Sequence, residues 1–186
     1  GLLCPSPVKS DEPEEVIRLV PMGCTRLRIA SIPVIGAGPD AHEWTEPPPA
    51  PHTASHCFEN DTVMALSDGL LPRSSNDRRI PRFTWWPRKG TSEWVTYDVS
   101  KPRQVSEVEV YWFDDTGVGH CRVPKAWRLE YRQGDQWRPA ANAGAYGVEP
   151  DRFNRVRFDP VTTQQLRLVV ELQPEFSAGI LEWRVK

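Results

Sequence analysis

Beyond His52, apolar and polar residues alternate with a period of two, the pattern of strands that bury one face. The runs are Trp94–Val99, Val105–Phe113, Ala126–Tyr131, Trp137–Ala140, Arg155–Phe158, Leu166–Leu172 and Ile180–Val185. Seven short strands at this spacing predict an all-β sandwich. Turn chemistry separates them. Gln133-Gly134-Asp135 predicts a hairpin turn, while Asp159-Pro160 and Gln173-Pro174 predict strand ends, because proline has no N–H to give to a ladder. Only Thr62–Leu66 has the composition of a helical turn.

Upstream the pattern differs. Between Glu14 and Ile35, Val16, Leu19 and Val20 precede a Pro-Met-Gly turn signal, and Leu27, Ile29 and Ile32 follow it, which predicts a two-stranded hairpin. Two strands alone are marginal in water, so this hairpin needs a further surface to pack on. Residues 36–51 (GAGPDAHEWTEPPPAP) suit neither helix nor central strand and read as a semi-rigid linker. The expected division is therefore 1–50, hairpin and linker, and 51–186, the sandwich.

Composition narrows the class. The chain has 186 residues, 39% of them apolar and 26% charged, as in an ordinary globular protein. A net charge of −2 without a basic stripe argues against nucleic acid as a partner. No run approaches the roughly 18 apolar residues of a membrane span. Nineteen prolines and eight tryptophans point instead to loops and flat apolar surfaces. Cys4, Cys24, Cys57 and Cys121 contain no CxxC pair, which leaves disulfides and buried thiols as the alternatives to a zinc knuckle.

Several segments carry a resemblance. Ala65–Gly69 (ALSDG), Phe83–Trp86 (FTWW) and Glu93–Val99 (EWVTYDV) resemble the opening of discoidin, or coagulation-factor type C, domains. VSEVEVYW, PKAWRLEY, the Asp135–Trp137 turn and the terminal Ile180–Trp183 continue the same order. The chain is also similar to the C-terminal region of bacterial glycoside hydrolases related to β-L-arabinofuranosidases. There a hairpin like VIRLVPMGCTRLRIASIP follows the helical catalytic barrel, and a discoidin-like module comes after it in some members. The resemblance implies a galactose-binding-like jelly-roll β-sandwich with an extra N-terminal hairpin. It further implies a monomeric, non-catalytic carbohydrate-binding accessory module, secreted or periplasmic, whose catalytic domain lies upstream on the same polypeptide. A ligand-free domain that stabilises the barrel, or an adhesion module for protein or lipid, are the alternatives. In the adhesion case the loop from Arg73 to Arg82, with Phe83, would supply the apolar spike.

A sugar offers an apolar C–H face to an aromatic ring and a rim of hydroxyls to polar side chains. The loop after VYWF, residues 114–122 (DDTGVGHCR), combines polar groups with glycines. Asp114, Asp115, His120 and Arg122 are its candidate contacts, Trp85 and Trp86 the candidate ring platform, and Phe176 of the PEFSAG loop a third contact. The alternative is that the tryptophans fill the core and the loop is a solvated turn. For a metal, the resemblance implies a structural Ca²⁺ between Asp68 and Glu182, with an arginine from the insertion Arg73–Arg79 as a substitute cation. Glu107 and Glu109 share one strand face and read as solvent-side residues rather than as a hydrolytic pair across a cleft. His52 and His56 lack metal-ligand spacing in a proline-flanked segment.

Overall fold

The computed structural model describes residues 52–186 together with 20–22 and 26–28. Val20–Met22 (β1) and Arg26–Arg28 (β2) form an antiparallel pair, Val20 opposite Arg28. The predicted hairpin is present, but Pro21 and Met22 belong to its first strand and not to its turn. The linker and its boundary lie outside the described residues, as do Cys4 and Cys24.

The rest is antiparallel β structure: β3 (His52–Ala54), β4 (Phe83–Thr84), β5 (Ser92–Phe113), β6 (Ala126–Gln133), β7 (Gln136–Pro139), β8 (Phe153–Glu171) and β9 (Gly179–Val185). Thr62–Leu66 supplies one 3-10 turn, Val63–Leu66, capped by the Thr62 hydroxyl, which accepts from the Met64 N–H. The strand order is β4-β9-β5-β8-β6-β7, with β3 on the free edge of β5. Pairs of runs that the sequence separates are joined here. Trp94–Val99 and Val105–Phe113 are both in β5, and Arg155–Phe158 and Leu166–Leu172 fall in or beside β8.

Both long strands turn a corner. The β5–β8 register slips between Asp98 and Arg103 and again between Val105 and Glu107. Pro160 falls in the second slip, between the Arg157–Glu107 and Val161–Val105 pairs. Asp159-Pro160 therefore bends its strand without ending it, since a bulge is where a residue lacking an N–H is tolerated. Gln173-Pro174 does follow a strand end. One core cluster joins the two halves. Val95, Leu168, Leu129 and Trp127 from one side of the corner, and Val108, Val110, Trp112, Val156, Ile180 and Trp183 from the other, bury against each other. The two halves of β5 and β8 thus belong to opposite layers of a sandwich. A second cluster on the outer face, Tyr111, Phe113, Cys121 and Leu181, is covered by Ile80 and Phe153.

Candidate functional site

Three connections meet at the end of the sandwich away from the corner: residues 85–91, 114–123 and 173–178. They are tied together by backbone. Cys121 and Ser177 form a parallel bridge, Ser177 N–H donates to the His120 carbonyl, and Arg122 N–H donates to the Ser177 carbonyl (both 2.9 Å). Gly90 N–H donates to the Gln173 carbonyl (2.9 Å), and the Gln173 amide to the Val123 carbonyl (2.8 Å). Gly90 has φ +63, and a Cβ there would meet the Pro174 backbone at 3.4 Å, so glycine serves both the turn and the approach.

The second of these connections, 114–123, is organised by its own carboxylates. Asp114 Oδ1 accepts from the Thr116 N–H (2.9 Å) and hydroxyl (2.5 Å), and Oδ2 from the Val123 N–H (3.1 Å). Asp115 is buried; its Oδ1 accepts from the Cys121 N–H (2.8 Å), and its own N–H donates to the Cys121 carbonyl (3.1 Å). Gly119 leaves room for that carboxylate, since a Cβ would lie 2.6 Å from the Asp115 carboxyl carbon. Both aspartates are thus internal braces. For Asp115 the expectation of a ligand contact is corrected, because the side chain is buried inside the loop; Asp114 is half-buried, with its oxygens turned to Thr116 and Val123.

Trp85 is also corrected. It is fully buried, edge-on to Phe83 at 4.8 Å, with its indole N–H toward the Trp94 carbonyl (3.4 Å). The core claims it, as it claims Trp112, Trp127 and Trp183. Trp86, the next residue, points the other way and is half-buried. Its ring stacks on His120 (centroids 5.7 Å, planes 22° apart), and the Lys89 ammonium lies 5.3 Å above it. His56 Nε2–H donates to the Trp86 carbonyl (2.7 Å).

In the extended piece 120–122, Cys121 turns inward and is buried, so His120 and Arg122 project together to the outer side, about 6–7 Å apart along the backbone. Arg122 Nη1 donates to the Gly119 (3.1 Å) and Cys121 (2.6 Å) carbonyls and approaches Asp115 Oδ1 (3.4 Å), while the guanidinium covers the Phe176 ring at 4.4 Å. The structure therefore brings together four of the predicted contacts, Trp86, His120, Arg122 and Phe176, in one row, and adds Lys89. Sequence reasoning passed over Lys89, whose only signal was its place three residues after Trp86 in the Pro-Arg-Lys-Gly turn. Cys121 is a buried free thiol pushed up to about 12 by burial and by the nearby Asp115, hence unreactive.

The implied metal residues Asp68 and Glu182 lie near enough for one carboxylate to act on the other. Glu182 is buried, and burial together with the nearby Asp68 carboxylate raises its carboxyl to about 7, against the pull of Arg184 and the Gly69 N–H. Its Oε2 is buried without a hydrogen-bond partner among the described residues. Two carboxylates are only part of the roughly six to eight oxygens a calcium ion takes, and no group of three or more His, Cys, Asp or Glu side chains that could hold a metal gathers among the described residues. The arginine substitute is corrected. Arg79 pairs with Asp77 (2.6 Å) and Arg78 approaches Asp115 (3.7 Å), while the cation beside Glu182 is Arg184 (3.7 Å). Phe83 is corrected as an apolar spike, being fully buried. The exposed apolar residues of that region are Leu70 and Leu71.

Elsewhere the polar candidates are structural. Glu107 and Glu109 lie on the outer sheet face, Glu107 bonded to Arg157 (2.8 Å) and Lys186 (3.1 Å), and Glu109 to Arg155 (2.6 Å) and Lys186 (2.8 Å). His52 is buried. Its Nδ1–H donates to the Thr96 carbonyl (3.2 Å), and its Nε2 accepts from the Ser67 hydroxyl (2.7 Å). Cys57 is disulfide-bonded.

No family model matches the chain, and no curated protein matches it. Solved structures do. A chain of the Streptococcus pneumoniae β-galactosidase BgaA aligns with TM-score 0.64 at 22% identity, over 77% of this chain and 94% of that one. The family 32 carbohydrate-binding module of Clostridium perfringens NanJ, solved with galactose, aligns with TM-score 0.55 at 16% identity, over 72% and 90%. Another family 32 module of Clostridium perfringens, solved with GalNAc-β-1,3-galactose, aligns with TM-score 0.54 at 14% identity, over 72% and 92%. The fold of residues 52–186 is a galactose-binding-like β-sandwich, shared with these chains.

Proposed function

We propose that this chain is a non-catalytic carbohydrate-binding accessory module of a glycoside hydrolase, and that its ligand rests on the row formed by Trp86, His120, Arg122 and Phe176. The observation that carries this reading is the pairing of each aromatic ring with a hydrogen-bond donor, on loops braced to a rigid frame. A ring and an adjacent donor match the two faces of a pyranose. The sandwich that holds the row is also the fold of the modules solved with galactose and with GalNAc-β-1,3-galactose. The parent enzyme is read as one related to β-L-arabinofuranosidases, on the sequence resemblance alone. A bound Ca²⁺ at Asp68 and Glu182 would steady the region behind Gly69 and has no chemical step to perform. The disulfide at Cys57 supports an oxidising compartment, and so a secreted or periplasmic protein.

Affinity electrophoresis of the full chain through gels containing arabinan, galactan and pectic polymers tests the reading. Retardation by at least one polymer, lost in Trp86→Ala at unchanged melting temperature, supports it. Free migration in every gel overturns it in favour of a stabilising domain. Free migration together with binding to phospholipid vesicles would assign the exposed Leu70 and Leu71 to adhesion.

A further inference from the structure

The loop row has an uneven chemistry. Its outward groups are the Lys89 ammonium over Trp86, the His120 imidazole and the Arg122 guanidinium over Phe176. The acidic groups of the same loop balance them only in part: Asp114 is held by the N–H groups of Thr116 and Val123, and Asp115, held by the Cys121 N–H, pairs with Arg122 (3.4 Å) and reaches neither His120 nor Lys89. Lys89 has no carboxylate within ion-pair distance among the described residues. Only Nη1 of Arg122 is occupied by carbonyls and Asp115; Nε and Nη2 make no hydrogen bond to a described residue. Glu175, exposed beside Phe176, is the one acidic side chain of the third loop.

A neutral pyranose presents hydroxyls that both donate and accept, and a site for it normally offers both partners. Here the row is dominated by donors, two of them permanently charged, and by ring faces, with the His120 imidazole the one member that can also accept. An anionic group on a sugar ring fits better: its oxygens only accept, and a guanidinium edge meets two of them at once. Resting on the carbohydrate reading above, we infer that the ligand is an anionic saccharide, its carboxylate or sulfate held by Lys89 and Arg122 while its ring lies along Trp86 and His120.

The test uses the full chain and four polymers: polygalacturonate, the same polymer fully methyl-esterified, neutral galactan and sulfated galactan. Calorimetric titration is run at low salt and again at roughly 0.5 M, where screening is nearly complete beyond contact distance. The expected result is that polygalacturonate binds at least about tenfold more tightly than its ester, a difference of about 1.4 kcal/mol, and that high salt removes the difference. Lys89→Gln, a change at a side chain that braces nothing, should shrink the preference while leaving the melting temperature unchanged. Sulfated galactan binding as well as polygalacturonate assigns recognition to charge; weaker binding assigns it to the planar carboxylate. Equal affinity for galactan, ester and polygalacturonate overturns the inference and leaves the carbohydrate reading standing. Binding to none of the four ends both.

Discussion

Gly119 and Asp115 form a coupled pair whose energetics can be measured. Gly119 does not occupy the left-handed region, so the backbone accepts alanine there; the obstacle is the Asp115 carboxylate, whose carbon a new Cβ would approach to 2.6 Å. That carboxylate cannot swing away without releasing the Cys121 N–H it binds at 2.8 Å, inside a loop where Cys121 is buried. Losing a charged acceptor from a buried N–H costs about 2–3 kcal/mol. Asp115→Ala and Gly119→Ala should therefore each cost that much. At roughly 3–5 °C per kcal/mol for a domain of this size, each lowers Tm by about 6–15 °C. Because both changes remove the same interaction, they should not add. In the Asp115→Ala background, Gly119→Ala should cost less than about 0.5 kcal/mol. Gly117, with φ +84 and open space around its Cα, is the control: alanine there should cost about 1 kcal/mol in either background. The assay is a urea-unfolding double-mutant cycle on the full chain. Additive costs at 115 and 119 would refute the brace, as would an Asp115→Ala protein of wild-type stability.

Two further outcomes follow from buried titratable groups. Burial lowers the His52 imidazole to about 4, against its hydrogen bond to the Thr96 carbonyl, so between about 6.5 and 4 the unfolded chain binds a proton that the folded chain does not. Stability is full above pH 6.5 and falls as pH drops toward 4, by roughly 2–3 kcal/mol across the window. Urea midpoints against pH for wild type and His52→Gln check this, and an unchanged slope in the variant would exclude His52 as the source. At the Asp68–Glu182 pair, Ca²⁺ at ten times its Kd should stabilise the protein by about 1.4 kcal/mol. Calorimetric melting with Ca²⁺ and with EDTA reads this, and Glu182→Gln should abolish the difference. Equal melting of the wild type in both would remove the ion.

The sandwich was legible because its signal is local. In VSEVEVYWF the inward Val108, Val110 and Trp112 and the outward Glu107, Glu109 and Tyr111 separate as alternation requires. The joining of neighbouring runs into β5 and β8 was not legible, because Pro102 and Pro160 look like stops and act as bends in bulged corners. β3 and β4 were missed, at three and two residues too short to show a period. Within the site, alternation cannot separate Trp85 from Trp86. Adjacent residues on a strand-to-loop path face opposite ways, and only the packing of Phe83 decides which ring goes inside. Asp114 and Asp115 attracted attention as exposed polar residues in a glycine loop. Nothing in their identity distinguishes a carboxylate that meets a ligand from one that accepts its own loop's amides.

The corner-turning strands have a mechanical consequence. Because β5 and β8 each run through both layers, neither layer can peel away while the other persists, and the sandwich must open as one cooperative unit. Amide protons along these two strands should exchange only through global unfolding. Those of residues 114–123 and 173–178, anchored at strand ends, can exchange through small local openings that leave the frame intact. The rim and its support therefore open by different routes, the support only as a whole.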